Sequence, residues 1–232
     1  GLVKFDILES RTLSEMKECL RLIKENKGIS IDIDHIPLDD ENTLKLYQEG
    51  RTTGTFHFDY PGMQKYLREL HPTVFDDLVA MYALYRPGLM DYIPAFIARK
   101  NGKEEITYDL PIMEKYLKET QGIPVYQEQI MHLVRKIAGF TRYQSDVIRK
   151  ALSKRKRDIY DAFKARFIEG GQINGYDTHI LEKIWSDWEK FGSYAFNKSH
   201  AVAYTLIAYQ TAYLKANYPE EYMSAIILLR RQ

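Results

Sequence analysis

The chain has 232 residues, 45% of them hydrophobic, which is enough for a sizeable core. Lys plus Arg number 33 against 32 for Asp plus Glu, so bulk charge does not announce a nucleic-acid binder and any electrostatic footprint must be local. Cys19 is the only cysteine, which excludes an internal disulfide framework and a cysteine zinc cluster; no run approaches the ~18 apolar residues of a membrane span, and a start at Gly1 reads as an excised fragment from a reducing cytoplasm.

Leu2 to Leu8 alternates apolar with polar residues and predicts a short strand carrying Asp6 near its end. Thr12-Leu13-Ser14-Glu15 has the pattern of a capping box, and Leu13, Met16, Leu20 and Ile23 then share a helical face up to a stop at Gly28. Asp39 and Asp40 can cap a short helix ending at Gly50, Thr52 to Asp59 reads as a second strand, and Pro61 opens a helix closed by His71-Pro72. Thr73 to Tyr85 is helical until Arg86-Pro87-Gly88 breaks it. Another short helix follows, then an Asn101-Gly102 turn and an edge strand at Glu105 to Tyr108.

From Pro111 onward the pattern is helical: Ile112–Thr120, Gln127–Ala138, Ser145–Ser153, Asp158–Glu169, Asp177–Lys190, Ser199–Asn217 and Glu220–Leu229. With no internal repeat or flexible linker, this predicts one continuous, mainly α unit with a few short strands.

The densest chemistry lies at two places. Phe191-Gly192-Ser193-Tyr194-Ala195-Phe196-Asn197 feeds Lys198-Ser199-His200 onto the first turn of a helix, where free backbone N–H groups, the helix dipole and a lysine can meet a phosphate. The alternative is plain capping by Asn197 or Ser199, with Lys198 and His200 in water. Between Arg149 and Arg157, six of nine residues are basic and none is acidic: Arg149, Lys150, Lys154, Arg155, Lys156 and Arg157. Such density either attracts polyanions through counterion release or forms a solvated helix end.

Arg86, at a helix-to-turn junction, could fork onto a phosphate or cap its helix. Gln127-Glu128-Gln129, at the start of a helix, could line a groove or face water, and solvent is the favoured reading. Asp6 is the one carboxylate nominated for a metal, since a charge on an apolar strand needs compensation. The six histidines form no ligand spacing, and neither a phosphate-binding Gly-x-x-x-x-Gly-Lys-Ser/Thr loop nor a dinucleotide Gly-x-Gly-x-x-Gly turn occurs.

Taken together, Val3-Lys4-Phe5-Asp6, Arg11-Thr12-Leu13, Ile36-Pro37-Leu38-Asp39-Asp40, Thr53-Gly54-Thr55-Phe56, Pro61-Gly62-Met63 and Leu84-Tyr85-Arg86-Pro87-Gly88 stand in an order that continues through Tyr92-Ile93-Pro94, Val125-Tyr126-Gln127-Glu128-Gln129, Arg149-Lys150-Ala151, Phe196-Asn197-Lys198-Ser199-His200-Ala201 and Ala208 to Lys215. This series resembles the C-family polymerases, the bacterial replicative DNA polymerase III alpha subunits, over essentially the whole chain.

The resemblance implies the C-terminal end of the palm at residues 1–10, as one strand remnant, and a multi-helix fingers domain at 11–232. It implies a catalytic, metal-binding role for Asp6, matching the third of three palm aspartates that hold Mg2+. The other two would lie upstream, so the fragment alone is expected to be inactive. Arg86, Arg149, Lys150, Lys154, Asn197, Lys198 and His200 are implied to receive the phosphates of an incoming deoxynucleoside triphosphate, and Arg155, Lys156 and Arg157 to bind DNA. Implied partners are template-primer DNA, a sliding clamp and other replication holoenzyme subunits in a bacterial cytoplasm.

The series departs from the family pattern at His57, Leu89 and Ser153, and at Ile7-Leu8-Glu9 in place of Phe-Leu-Gly. These changes motivate the alternative of a divergent, non-catalytic DNA-binding or partner-binding module.

Overall fold

The computed structural model describes residues 2–231, with side chains over 9–231. It is mainly α. In chain order the helices are α1 (Leu2–Lys27), α2 (Glu41–Gln48), α3 (Pro61–Leu70), α4 (Phe75–Leu84), α5 (Ile93–Lys100), α6 (Met113–Leu117), α7 (Gln127–Ala138), α8 (Arg142–Ser153), α9 (Arg157–Ala162), α10 (Lys164–Ile173), α11 (Thr178–Gly192), α12 (Lys198–Asn217) and α13 (Pro219–Arg230). The chain divides into two compact units, one made of Gly1–Leu78 with Ala203–Gln232 and the other of Val79–Val202.

In the first unit α1 packs along α13. Met16, Cys19 and Ile23 from α1 meet Tyr222, Ala225 and Ile226 from α13 and Leu214 from α12 in a buried cluster. Each such large apolar side chain contributes about 1.5–3 kcal/mol when fully buried. Polar bonds fix the loops around it. Asp40 caps α2, accepting from the Thr43 amide at 3.0 Å, while the Tyr209 hydroxyl accepts from the Asp40 amide at 3.0 Å and donates to the Pro37 carbonyl at 2.8 Å.

The second unit is built on α7, α8, α10 and α11. Its core is aromatic: Tyr160 stacks on Trp185 at 4.2 Å, Phe167 lies 4.9 Å from Trp185, and Trp188 is buried beside them. The Tyr160 hydroxyl donates to the Trp185 carbonyl at 2.7 Å, so the buried ring keeps its polar tip satisfied.

Several expectations need correction. Residues 2–8 are helical rather than a strand, because no Gly or Pro stands between Leu2 and Lys27 and α1 runs unbroken through them. The Thr12–Glu15 pattern therefore falls inside a helix and starts nothing; Glu15 is buried and ion-paired with Arg11 at 3.4 Å and Arg230 at 3.1 Å. The stop at Gly28 holds, with φ +68° and its N–H on the Lys24 carbonyl.

Thr52 to Asp59 is not a strand either. It is a tight turn in which Gly54 and His57 have φ of +84° and +61°, the Thr52 hydroxyl donates to the Phe58 carbonyl and the Gly54 amide to Asp59. Glu105 to Tyr108 has no regular secondary structure and pairs with no strand among the described residues. Among them the one β-type pairing is a parallel bridge between Tyr126 and Phe196. The helix expected over Asp158–Glu169 is interrupted at Phe163, between α9 and α10.

Candidate functional site

The Tyr126–Phe196 bridge organises the candidate site, and all of it belongs to the second unit. The Phe196 amide donates to the Val125 carbonyl and the Gln127 amide to the Phe196 carbonyl, each at 2.9 Å. Those two bonds lay the start of α12 beside the start of α7. The Gln127 side-chain amide adds bonds to the Ala195 carbonyl at 3.2 Å and the Ser153 hydroxyl at 2.9 Å, bringing in the end of α8. Three helix ends thus converge on an open groove of about 720 Å³ lined by Arg86, Gln127, Ser153, Ser193, Ala195, Phe196, Asn197, Ser199 and His200.

Arg86 reaches the groove from the turn after α4. Its carbonyl accepts from the amides of Leu89 at 3.2 Å and Met90 at 3.1 Å, and Gly88 at φ +93° closes the turn. Leu89 is fully buried, and its amide is one of the two that hold the Arg86 carbonyl. The Arg86 guanidinium lies 4.8 Å over the Phe196 ring, and no carboxylate among the described residues pairs with it. His200 packs on the same ring at 5.5 Å.

At the head of α12 the capping arrangement is realised. Asn197 Oδ1 accepts from the His200 amide at 2.9 Å, and a Glu128 carboxylate oxygen accepts from the Lys198 amide at 2.8 Å. These two first-turn amides therefore already have internal acceptors. The Lys198 ammonium bonds both oxygens of Glu119, at 2.8 and 3.1 Å, and lies 5.7 Å over the Tyr126 ring. Lys198 does not line the groove, whereas Asn197, Ser199 and His200 do.

The basic run divides in two. Arg149 and Lys150 both pair with Asp146, at 2.9 and 3.2 Å, and their hydrogen bonds hold its carboxyl below the usual range. Arg157 pairs with Glu189 at 2.9 Å and Asp161 at 3.4 Å. Lys154 and Lys156 are exposed and have no ion pair among the described residues. Arg155, at φ +53°, caps α8 through its amide on the Leu152 carbonyl and lies 5.2 Å over the Tyr194 ring. Those three cations stand open to a polyanion.

The Asp6 side chain lies outside the described residues. Among the described residues no group of three His, Cys, Asp or Glu could hold a metal ion, so they do not by themselves form a magnesium site.

Gln127-Glu128-Gln129 does not simply face solvent. Gln127 clamps the groove, Glu128 takes the α12 amide, and buried Gln129 caps the Tyr126 amide at 2.9 Å while donating to Thr120 at 2.9 Å. One signal for this stands in the sequence: a Gln at the third helical position suits reciprocal capping, which places at least that residue against the backbone. Glu119 and Phe196 carry no comparable signal, because their partners Lys198 and Arg86 are remote in sequence, 79 residues away in the case of Glu119.

Residues 12–175 match the model of the bacterial DNA polymerase III alpha subunit finger domain. The chain is 47% identical over 226 residues to the DNA polymerase III subunit alpha of Aquifex aeolicus, which covers 97% of this chain and 20% of that protein. It is 42% identical to the Thermus aquaticus subunit over 236 residues, 100% of this chain and 19% of the relative. With the Chlamydia trachomatis subunit it shares 45% identity over 227 residues, 98% of this chain and 18% of the relative. The chain therefore spans about a fifth of the length of these relatives. Among the described residues no helix is long and apolar enough to cross a membrane.

Proposed function

The chain belongs to the bacterial DNA polymerase III alpha subunit finger family, and from that premise we propose that its groove receives the phosphates of an incoming deoxynucleoside triphosphate during template-directed DNA synthesis. The observation that carries this reading is Arg86, an arginine on a polar groove, backed by an aromatic face and lacking a carboxylate partner among the described residues. A guanidinium in that setting keeps its full charge and its fork of donors for phosphate oxygens. Asn197, Ser199, His200, Gln127 and Ser153 supply polar groups around it.

In the whole polymerase the primer 3′-hydroxyl gives up its proton to solvent as its oxygen bonds to the α-phosphorus, the bond from that phosphorus to the bridging oxygen breaks, and pyrophosphate leaves. The part proposed for this chain is to hold the triphosphate in line and stabilise the charge gathering on the leaving group. Magnesium, when bound, supplies further charge neutralisation. Asp6 is the carboxylate we propose this chain contributes to its binding, in company with carboxylates outside the described residues.

Lys154, Arg155 and Lys156 are proposed to contact template-primer DNA, with Arg149, Lys150 and Arg157 shaping the field around them. The domain reading, palm end at 1–10 and fingers at 11–232, is likewise a proposal, as are the clamp and holoenzyme partners, the cytoplasmic setting and the inactivity of the fragment alone.

The test is titration of the intact alpha subunit carrying this chain with a fluorescent deoxynucleoside triphosphate. Arg86→Ala should weaken binding about tenfold or more, in keeping with the ~1.5–3 kcal/mol of hydrogen bonds to a charged group. Unchanged affinity, with helicity and melting temperature also unchanged, would remove the groove from nucleotide recognition.

A further inference from the structure

Lys198 is the most conspicuous cation of the Phe196–His200 turn, yet its side chain is spent inside the protein. Its ammonium bonds both oxygens of Glu119 at 2.8 and 3.1 Å, and its amide is held by Glu128 at 2.8 Å. The ammonium also lies over the Tyr126 ring at 5.7 Å. Its neighbours on the turn, Asn197, Ser199 and His200, line the groove, and Lys198 does not.

We propose that Lys198 is a positioning residue: Glu119 and Glu128 grip its two ends and thereby fix the lip of the groove, while the phosphates are met by Arg86 and the groove-lining residues. This rests on the reading of the groove as the triphosphate site. The physical case has three parts. First, two carboxylates from different elements, one in the turn Lys118–Thr120 and one in α7, bind atoms of a single residue at the start of α12. Second, the parallel bridge through Phe196 lies two residues away, so the clamp and the bridge together restrain both the strand-like segment and the helix start. Third, an ammonium neutralised by a carboxylate at 2.8 Å projects little net field toward a groove it does not line, and a phosphate could recruit it only by breaking that pair. The pair is partly shielded, with side-chain exposures of 38% for Lys198 and 33% for Glu119.

Charge reversal separates a positioning lysine from a phosphate ligand. In the intact alpha subunit, Lys198→Glu should raise the dissociation constant for deoxynucleoside triphosphate by about fivefold or more and speed amide hydrogen exchange over residues 195–200. Combining it with Glu119→Lys re-forms the pair in the opposite sense, and should return both quantities to within about twofold of the starting protein. A double variant that regains slow exchange but stays as weak a binder as Lys198→Glu would overturn the proposal, since a negative charge at 198 would then be repelling the phosphate directly.

Glu119→Gln guards against a swap that fails to fold. A positioning role predicts weaker nucleotide binding and faster exchange. Tighter binding, the result expected if Glu119 merely competes with phosphate for the ammonium, would contradict it. If Arg86→Ala leaves nucleotide affinity unchanged, the groove reading has failed; the exchange measurement still tests the clamp, and slow exchange in Lys198→Glu would dispose of that separately.

Discussion

Arg86 lies with its guanidinium 4.8 Å from the centre of the Phe196 ring, and the same ring meets Tyr82 edge-on at 5.7 Å and His200 at 5.5 Å. Phe196 is thus the platform on which the arginine of the groove rests. A cation over an aromatic face is worth about 0.5–1 kcal/mol at a partly wet site. Phe196→Leu keeps the apolar bulk and removes that attraction, so nucleotide affinity should fall about twofold to fivefold, measured by the same titration, with the backbone bridge to Val125 and Gln127 retained.

Gly88 allows the turn that aims Arg86. Its φ is +93°, and a Cβ there would lie 2.2 Å from the Tyr194 ring, which in turn carries Arg155. Gly88→Ala combines an unfavourable backbone conformation with a clash against a ring, and should destabilise the protein by about 2–4 kcal/mol in urea unfolding. Nucleotide affinity should drop as well, because a displaced turn moves Arg86 with it.

The open half of the basic run should dominate DNA binding. Replacing Lys154, Arg155 and Lys156 by Ala together should weaken binding of primer-template and lower the slope of log affinity against log salt by roughly 0.9 for each phosphate no longer neutralised. Arg157→Ala should change that slope less than any one of the three, since Arg157 is already neutralised by Glu189 and Asp161.

Much of this arrangement is legible in the residues, and the failures have physical causes. α7 has the predicted bounds, Gln127–Ala138, because a capping Gln and Gly139 mark its two ends. Asp40 caps α2 and His71 closes α3 as their local chemistry dictates. The strand readings fail where period two rests on only a handful of residues. At 2–8 a helix absorbs the pattern, and at 52–59 the positive φ of Gly54 and His57 turns the chain back on itself, so Phe56 and Phe58 are buried without a sheet. Motif order points to Lys198 but cannot disclose its pairing with Glu119, which joins residues far apart in sequence.

Asp40 gives the first unit an acid-sensitive joint. Burial raises its carboxyl, but hydrogen bonds from Thr43 and Asn217 outweigh that, and the net shift is downward. A depressed folded pKa means stabilisation that is fully present above the ordinary carboxylate value near ~4 and lost as pH falls through the folded value. Unfolding free energy of the starting protein should therefore fall more steeply between about pH 5 and 3 than that of Asp40→Asn, in which this position no longer titrates. Equal slopes would take Asp40 out of the acid response.

Tyr209 offers a second check on the same joint. Burial pushes its hydroxyl up to about 12, so it stays protonated, donating to Pro37 while accepting from the Asp40 amide. Tyr209→Phe leaves both backbone groups without that partner and should cost about 1–3 kcal/mol in chemical denaturation.

The most direct measurement of the central claim is photocross-linking of an azido-deoxynucleoside triphosphate, tethered through its terminal phosphate, to the intact alpha subunit on primer-template DNA, followed by peptide mapping. Label on peptides containing Arg86 and on those spanning Phe196 to His200, competed away by unmodified triphosphate, is the predicted result. Competed label that spares both peptides would contradict the assignment of the groove.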